Sequence, residues 1–360
     1  MAVTALERWT GRLEFAARQG ARVAWYAGHG AAMRRMIRRI EAKQPDDGAA
    51  ARKIKPPSTP VPSMRRLLSD VAALLARDLA NAEAGFYPIP LDDDGGLPAL
   101  LARSRAFFRD VPEVARRRRE QSHQEVQAEA KDAKKLPRYY MQNFHFQSGG
   151  WLTEDSARIY DMQVEVLFSG AANAMRRQAL VPIYEQIRGH DQRDVRFTDI
   201  ATGTGTFITQ MRRAFPRLNI TAIDLSEAYL AETMRRQSGS PFVTPLVGKA
   251  ETLPIEDGAL DIATAIFLFH ELPPKIRRQA VQELARTIRP GGLFVLVDTL
   301  QPGDEPDYDG LLELFPQLFH EPYYGSYLKE DLERLFGEAG FRMESATNAF
   351  FSRITSFRRL

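Results

Sequence analysis

Apolar residues recur at helical intervals through the first third of this chain and as short runs through the last half. From the N-terminus, Leu6, Trp9, Leu13 and Ala17 fall on one face, followed by Met33, Met36, Ile37 and Ile40. Side chains three and four apart share a helix face, so two helices are expected here. A third runs from Met64 to Ala84 with Leu67, Leu68, Val71, Leu74, Leu75 and Leu79 on one side. A fourth covers Leu97 to Arg109 and stops near Pro112. Beyond residue 190, short apolar runs alternate with helical stretches. The runs are Val195 to Ile200, Asn219 to Ile223, Phe242 to Val247, Leu260 to Phe267 and Leu293 to Val297. Leu328 to Ala339 reads as a helix stopped by Gly340. Phe341 to Ser345 and Phe350 to Phe357 read as a closing, hairpin-like pair. Such alternation predicts an α/β fold: a doubly wound, mostly parallel sheet of seven strands behind an N-terminal helical extension.

The turns between the runs carry the chemistry. The first run leads through Asp199, Ile200, Ala201, Thr202, Gly203, Thr204 and Gly205 into a helix with Phe207, Ile208, Met211 and Phe215 inside. Strand, glycine turn and helix make the first half of a nucleotide-binding βαβ unit. The third glycine of the dinucleotide fingerprint would fall at Ile208 and is missing. Asp199 stands beside the turn, where its charge favours a cationic ligand and repels a pyrophosphate. The second run ends in Asp224-Leu225-Ser226. Asp224 lies at the separation from the glycine turn at which an acid grips ribose hydroxyls, and Ser226 is placed to cap the next helix.

The ordered series Asp-x-Ala-Thr-Gly-Thr-Gly, Ala-Ile-Asp-Leu-Ser, Gly-Lys-Ala-Glu-Thr-Leu-Pro, Leu-Asp-Ile-Ala-Thr and Arg-Pro-Gly-Gly-Leu resembles the class I S-adenosylmethionine-dependent methyltransferases. Within that Rossmann-like class it looks most like the type 11 branch that includes the ubiquinone/menaquinone C-methyltransferases. The resemblance covers roughly Tyr160 to the C-terminus. It implies S-adenosyl-L-methionine as cofactor, held by Tyr160, Asp199, Ala201, Thr202, Gly203, Gly205, Asp224, Leu225, Ala250, Glu251 and Phe267. Asp199 would sit near the amino acid portion and Asp224 would take both ribose hydroxyls. Gly203 and Gly205 would admit close backbone approach. Ala250 and Glu251 would flank the adenine, and Tyr160 would cover the methionine part. Two positions depart from the pattern. Ala201 replaces a glycine, a mild change at negative φ. Lys249 replaces an adenine-binding Asp, which moves that contact to Glu251 or to backbone near Ala250.

Methyl transfer is an in-line displacement with a neutral thioether leaving, so positioning, worth roughly 7–11 kcal/mol, carries most of it. A base is needed only when the acceptor loses a proton. His270, at the end of the fourth run, is the first candidate, set against a structural role capping the helix at Pro273. His145, His320 and Tyr323 follow. Position 274 is proline, so His270-Glu271 does not open a zinc-protease box, and no metal site is expected. The chain has no cysteine, which removes disulfides, Cys-held zinc and iron–sulfur chemistry.

At 360 residues the chain divides into a basic helical extension (1–135, with a proline-rich linker at about 44–63), an aromatic lid and helix (136–190), and a methyltransferase domain (191–360). The stretch from Tyr139 to Gln147 reads either as that lid, over cofactor and substrate, or as an apolar segment packed on the core. Residues 1–150 carry 26 Lys+Arg against 17 Asp+Glu, and the remainder 23 against 29. That asymmetry points either to an anionic partner or to docking of the two halves. The basic N-terminal helices fit either anionic lipid headgroups or packing on the rest of the protein. The charged run from Glu113 to Lys135 reads as a solvated helix more readily than as a nucleic-acid site. No stretch approaches the roughly 18 apolar residues of a span, and no signal-peptide core is present. The expected location is cytoplasmic, with membrane association at most peripheral. Bulky apolar residues after the fifth run (Leu311 to Phe315, Phe319) suggest walls for a small, fairly apolar acceptor methylated on carbon or oxygen, quinone- or isoprenoid-like or another secondary metabolite. An RNA methyltransferase using the basic half, or a non-catalytic cofactor-binding protein, are the alternatives. Oligomeric state is not legible.

Overall fold

A computed structural model describes residues 5–43, 54–92, 94–126, 136–238 and 240–360. Parts of the expected linker and of the charged run ending at Lys135 lie outside these residues. Seven strands form one sheet: β1 (Arg196–Ile200), β2 (Asn219–Asp224), β3 (Val243–Val247), β4 (Leu260–Ile266), β5 (Ile288–Thr299), β6 (Phe341–Ala349) and β7 (Ser352–Arg359). Their order is β3-β2-β1-β4-β5-β7-β6. The five strands up to β5 pair in parallel, and β7 runs antiparallel to both β5 and β6. The chain reverses its direction of winding between β1 and β4. Loops leaving these two strands diverge and open a crevice at their carboxyl ends.

Helices cover both faces, so β4 and most of β5 are buried throughout, as parallel strands require. On one face Phe197, Ile220, Ile262 and Val295 pack against Ile208, Met211 and Ile183. On the other, Ile223, Ala263, Phe294 and Phe357 pack against Val281, Leu284 and Phe336. Each such side chain contributes roughly 1.5–3 kcal/mol by leaving water.

Several boundaries differ from those the pattern predicts. Pro290 and Gly291 lie inside β5, where the register with β4 slips between Leu260 and Ile262 and Gly291 adopts φ +78°. The last helix is Leu332–Gly337, because the Asp331 side chain accepts from Arg334 N at 2.9 Å and caps it there. The helix expected to run from Tyr160 past Met175 breaks at Gly170 (φ +84°) into Glu154–Leu167, Ala172–Arg177 and Leu180–Ile187.

Among its described residues the extension carries the helices α1 (Ala5–Ala42), α2 (Met64–Glu83) and α3 (Gly96–Glu120). The two expected N-terminal helices are therefore one. Trp9 and Leu13 are 62% and 52% exposed, and the packed side of α1 carries Phe15, Gln19, Arg22 and Tyr26 instead. Helix α3 runs on through Pro112 because Phe107 and Val111 are buried against Tyr26 and Met162, and that burial outweighs the lost backbone bond.

Charge holds the extension on the sheet domain. Arg177, fully buried, pairs with Asp78 of α2 at 2.7 Å and with Asp92 at 2.5 Å. Arg22 pairs with Glu165 at 3.0 Å and with Asp94. Burial alone would raise the Asp92 carboxyl, but Arg177 and Arg22 hold it well below the usual carboxylate range. Removing one partner of such a pair costs about 3–5 kcal/mol. On α3, Arg116 is engaged by Glu113, Glu120 and Glu125, and Arg117 by Glu125. Arg116 and Arg117 therefore sit in a mixed-sign network. Among the described residues no helix is long and apolar enough to cross a membrane.

Candidate functional site

A hollow of about 790 Å³ opens at the carboxyl ends of β1, β2 and β4. Its floor is the turn after β1. Ala201 has φ +56°, so the negative φ expected of an alanine there is not what the turn adopts. A non-glycine residue pays about 1–2 kcal/mol for this conformation. The bend is held by Thr202 N donating to Ile223 O at 2.9 Å. Gly203 N then donates to Asp224 Oδ2 at 2.8 Å. Gly205 has φ +74°, and a Cβ there would stand 2.8 Å from Thr233 Cγ2, so both conformation and space demand glycine.

Asp224 ends β2 in the hollow. Its second oxygen, Oδ1, accepts from Ser226 N at 2.8 Å. A carboxylate has about four acceptor positions, and two remain for a ligand. Burial pushes its pKa up to about 6. Asp199 accepts from Thr264 Oγ1 at 2.5 Å, and burial pushes it up to about 7.

A side chamber of about 340 Å³ continues from the hollow and is lined by Tyr160, Arg176, Asp199, Thr202 and Phe267. Arg176 is buried beneath the Phe267 ring, 5.5 Å from its centroid. Its hydrogen bond to Asn173 Oδ1 is long, 3.4 Å. A cation and a carboxylate side by side in a buried chamber complement a zwitterionic amino acid. Sequence reasoning missed Arg176. The signal was the Arg176-Arg177 pair, but the pattern ran it into a continuous helix.

Tyr160 lines the hollow and the chamber as expected. Its neighbour Asp161 accepts from Thr204 Oγ1 at 2.8 Å and Thr206 Oγ1 at 2.9 Å, and pairs with Arg236. These bonds fasten the helix Glu154–Leu167 to the glycine turn. Leu225, Lys249, Ala250 and Phe267 also line the hollow. Glu251 does not. Its oxygens accept from Tyr139 Oη at 2.8 and 2.9 Å and so hold the aromatic strap instead. Tyr139, Tyr140 and Phe144 of that strap roof the hollow.

The four base candidates fare differently from expectation, and none lines the hollow. His270 is buried with Nδ1 2.6 Å from Asp298 Oδ1. Burial would lower its pKa, but Asp298 outweighs that and pushes it up to about 9. His320 stacks on His123 with centroids 4.1 Å apart, and its Nε2 lies 2.8 Å from Gln142 Oε1. Burial, then His123, pushes His320 down to about 4. Tyr323 Oη accepts from Gln142 Nε2 at 3.2 Å. Glu271, not His270, reaches the hollow.

A second cavity, about 720 Å³ and mainly apolar, adjoins the first. Met33, Ile37, Phe107, Val111, Val166 and Phe319 are among its walls, and Tyr160 and His145 stand on its edge. Its walls come from the N-terminal extension and from the helix Glu154–Leu167, and Leu311 to Phe315 are not among them. The post-β5 segment supplies Phe319.

Residues 197–292 match the methyltransferase domain family. That stretch holds the glycine turn, Asp199, Asp224 and the strands from β1 to the first part of β5. The chain is 32% identical over 160 residues to the ubiquinone/menaquinone biosynthesis C-methyltransferase UbiE of Methylobacterium nodulans, a match covering 42% of this chain and 61% of that one. It is 30% identical over 169 residues to the demethylmenaquinone methyltransferase of Beutenbergia cavernae, covering 47% and 65%. The chain thus spans under two thirds of these relatives' lengths. Among solved structures, a SAM dependent methyltransferase from Aquifex aeolicus is 16% identical with a TM-score of 0.37, covering 49% of this chain and 87% of that one.

Proposed function

We propose that this chain moves a methyl group from S-adenosylmethionine to a small apolar acceptor seated in the second cavity. The observation that carries the reading is the position of Tyr160, whose ring borders the hollow, the side chamber and the apolar cavity at once. The residues present suit the cofactor: Asp224 has acceptor positions for ribose hydroxyls, and Arg176 and Asp199 match the carboxylate and ammonium of the amino acid end. Two carboxylates at the turn oppose a pyrophosphate. Bound there, S-adenosylmethionine supplies an electrophilic methyl on a sulfonium. The chain's own work is to hold the acceptor in line and keep water out with Tyr139, Tyr140 and Phe144.

The walls of the second cavity favour a ring or prenyl chain over a charged metabolite. Two relatives carry the names of quinone-pathway methyltransferases, and a quinone-like acceptor, methylated on carbon or oxygen, fits such walls. The test is to incubate a metabolite extract with methyl-labelled cofactor and identify the product. Val111→Trp, which fills the second cavity, is expected to abolish labelling while cofactor affinity stays within about twofold. Equal labelling by this variant would remove the cavity from the account.

A further inference from the structure

His145, Glu271 and Glu321 are given no role in the cofactor site above, yet each offers one ligand atom within 4.8 Å of the others. They come from three separate segments: the strap, the turn after β4 and the turn after the helix Asp309–Leu318. The Glu321 side chain is wholly buried, and its Oε2 has no hydrogen-bond partner among the described residues. His145 Nε2 lies 2.9 Å from its Oε1. A buried carboxylate with one oxygen left unpaired costs more than the roughly 1–3 kcal/mol of an unsatisfied neutral group, and a cation between the three side chains would complete it. The neighbouring imidazole is engaged elsewhere: His270 Nδ1 is bonded to Asp298, and its Nε2 stands 3.9 Å from Glu271 Oε1. The strap is also bent to bring His145 inward. His145 and Phe146 both adopt positive φ, 54° and 58°, and His145 N donates to His320 O at 3.2 Å. Consecutive strained residues of this kind cost about 1–3 kcal/mol each and collect where a group must be aimed.

We propose that His145 Nε2 and the carboxylates of Glu271 and Glu321 form a site for one divalent transition-metal cation, placed between the cofactor hollow and the apolar cavity. Glu271 borders the former and His145 the latter. One imidazole and two carboxylates suit Zn²⁺, Mn²⁺ or Fe²⁺ better than Ca²⁺ or Mg²⁺, which take oxygen ligands. Three protein ligands leave coordination positions open. An oxygen substituent of the acceptor takes one of them, which orients the acceptor and lowers the pKa of a hydroxyl there. This last role rests on the methyltransferase reading; the cation site does not.

The test uses the full chain, stripped with chelator and titrated with Co²⁺ while its visible d–d absorption is followed. One equivalent is expected to saturate the band and to raise the melting temperature. Glu321→Gln and His145→Ala should each weaken Co²⁺ binding by at least about tenfold and lose the rise in melting temperature. His145 is partly exposed, so its variant guards against a folding defect in the other. S-adenosylhomocysteine should bind all three proteins alike. If the wild type fails to bind that nucleoside, the methyltransferase reading falls while the Co²⁺ result stands on its own. No saturable band in the wild type, or wild-type Co²⁺ affinity retained in both variants, would overturn the site.

Discussion

Replacing Asp224 by asparagine exchanges one oxygen for an NH₂ group and removes the charge, with little change in volume. In the native protein the two carboxylate oxygens accept from Gly203 N and Ser226 N, each at 2.8 Å, and keep two acceptor positions for the ligand. The amide keeps one acceptor oxygen with two acceptor positions, so it can serve only one backbone N–H and one ribose hydroxyl. Its NH₂ then faces the other backbone N–H, donor against donor. A hydrogen bond to a charged group is worth about 1.5–3 kcal/mol, so losing one should weaken cofactor binding roughly 10- to 150-fold. Leaving a buried backbone donor unpaired also costs about 1–3 kcal/mol of stability. Calorimetric titration with S-adenosylhomocysteine reads the first effect and thermal melting the second. A variant that melts cooperatively and binds within twofold of the wild type would refute the assignment of Asp224 to the ribose.

Arg176→Gln is expected to weaken S-adenosylmethionine about tenfold while leaving methylthioadenosine, which lacks the amino acid end, unaffected; equal losses for both would move Arg176 out of the chamber. Cofactor affinity should fall as pH drops, by up to about tenfold per unit below pH 6, since ribose hydroxyls need Asp224 ionised and burial places its pKa at about 6. Asp199, pushed up to about 7 by burial, gains an ammonium partner, so binding at pH 6.5 should release protons, measurable as a buffer-dependent binding enthalpy. Gly205→Ala should lower stability by roughly 2–5 kcal/mol, the sum of the positive-φ cost and overlap with Thr233; an unchanged denaturation midpoint would contradict the steric reading.

The glycine turn and the acids beside the hollow were legible in the chain because the geometry there is local. A glycine turn and an acid at a strand end lie within a few residues of each other, and the same βα geometry recurs after each strand. What escaped depends on contacts between distant segments. The packed face of α1 is decided by Arg22, whose partners Asp94 and Glu165 lie far along the chain. His270 reads as a free base until β4 and β5 are paired, when Ile266 comes beside Val297 and brings Asp298 against the imidazole. The apolar cavity joins Met33 and Ile37 to Val166 and Phe319, a grouping that no periodicity announces. Glu251 sits in the expected motif, yet Tyr139 takes both its oxygens.

The most direct measurement is a crystal structure of the chain soaked with S-adenosylhomocysteine. The ribose hydroxyls should lie within hydrogen-bond distance of Asp224, and the amino acid end should reach Arg176 and Asp199. Density for the nucleoside anywhere else, with the hollow above Gly203 left to solvent, would contradict the account.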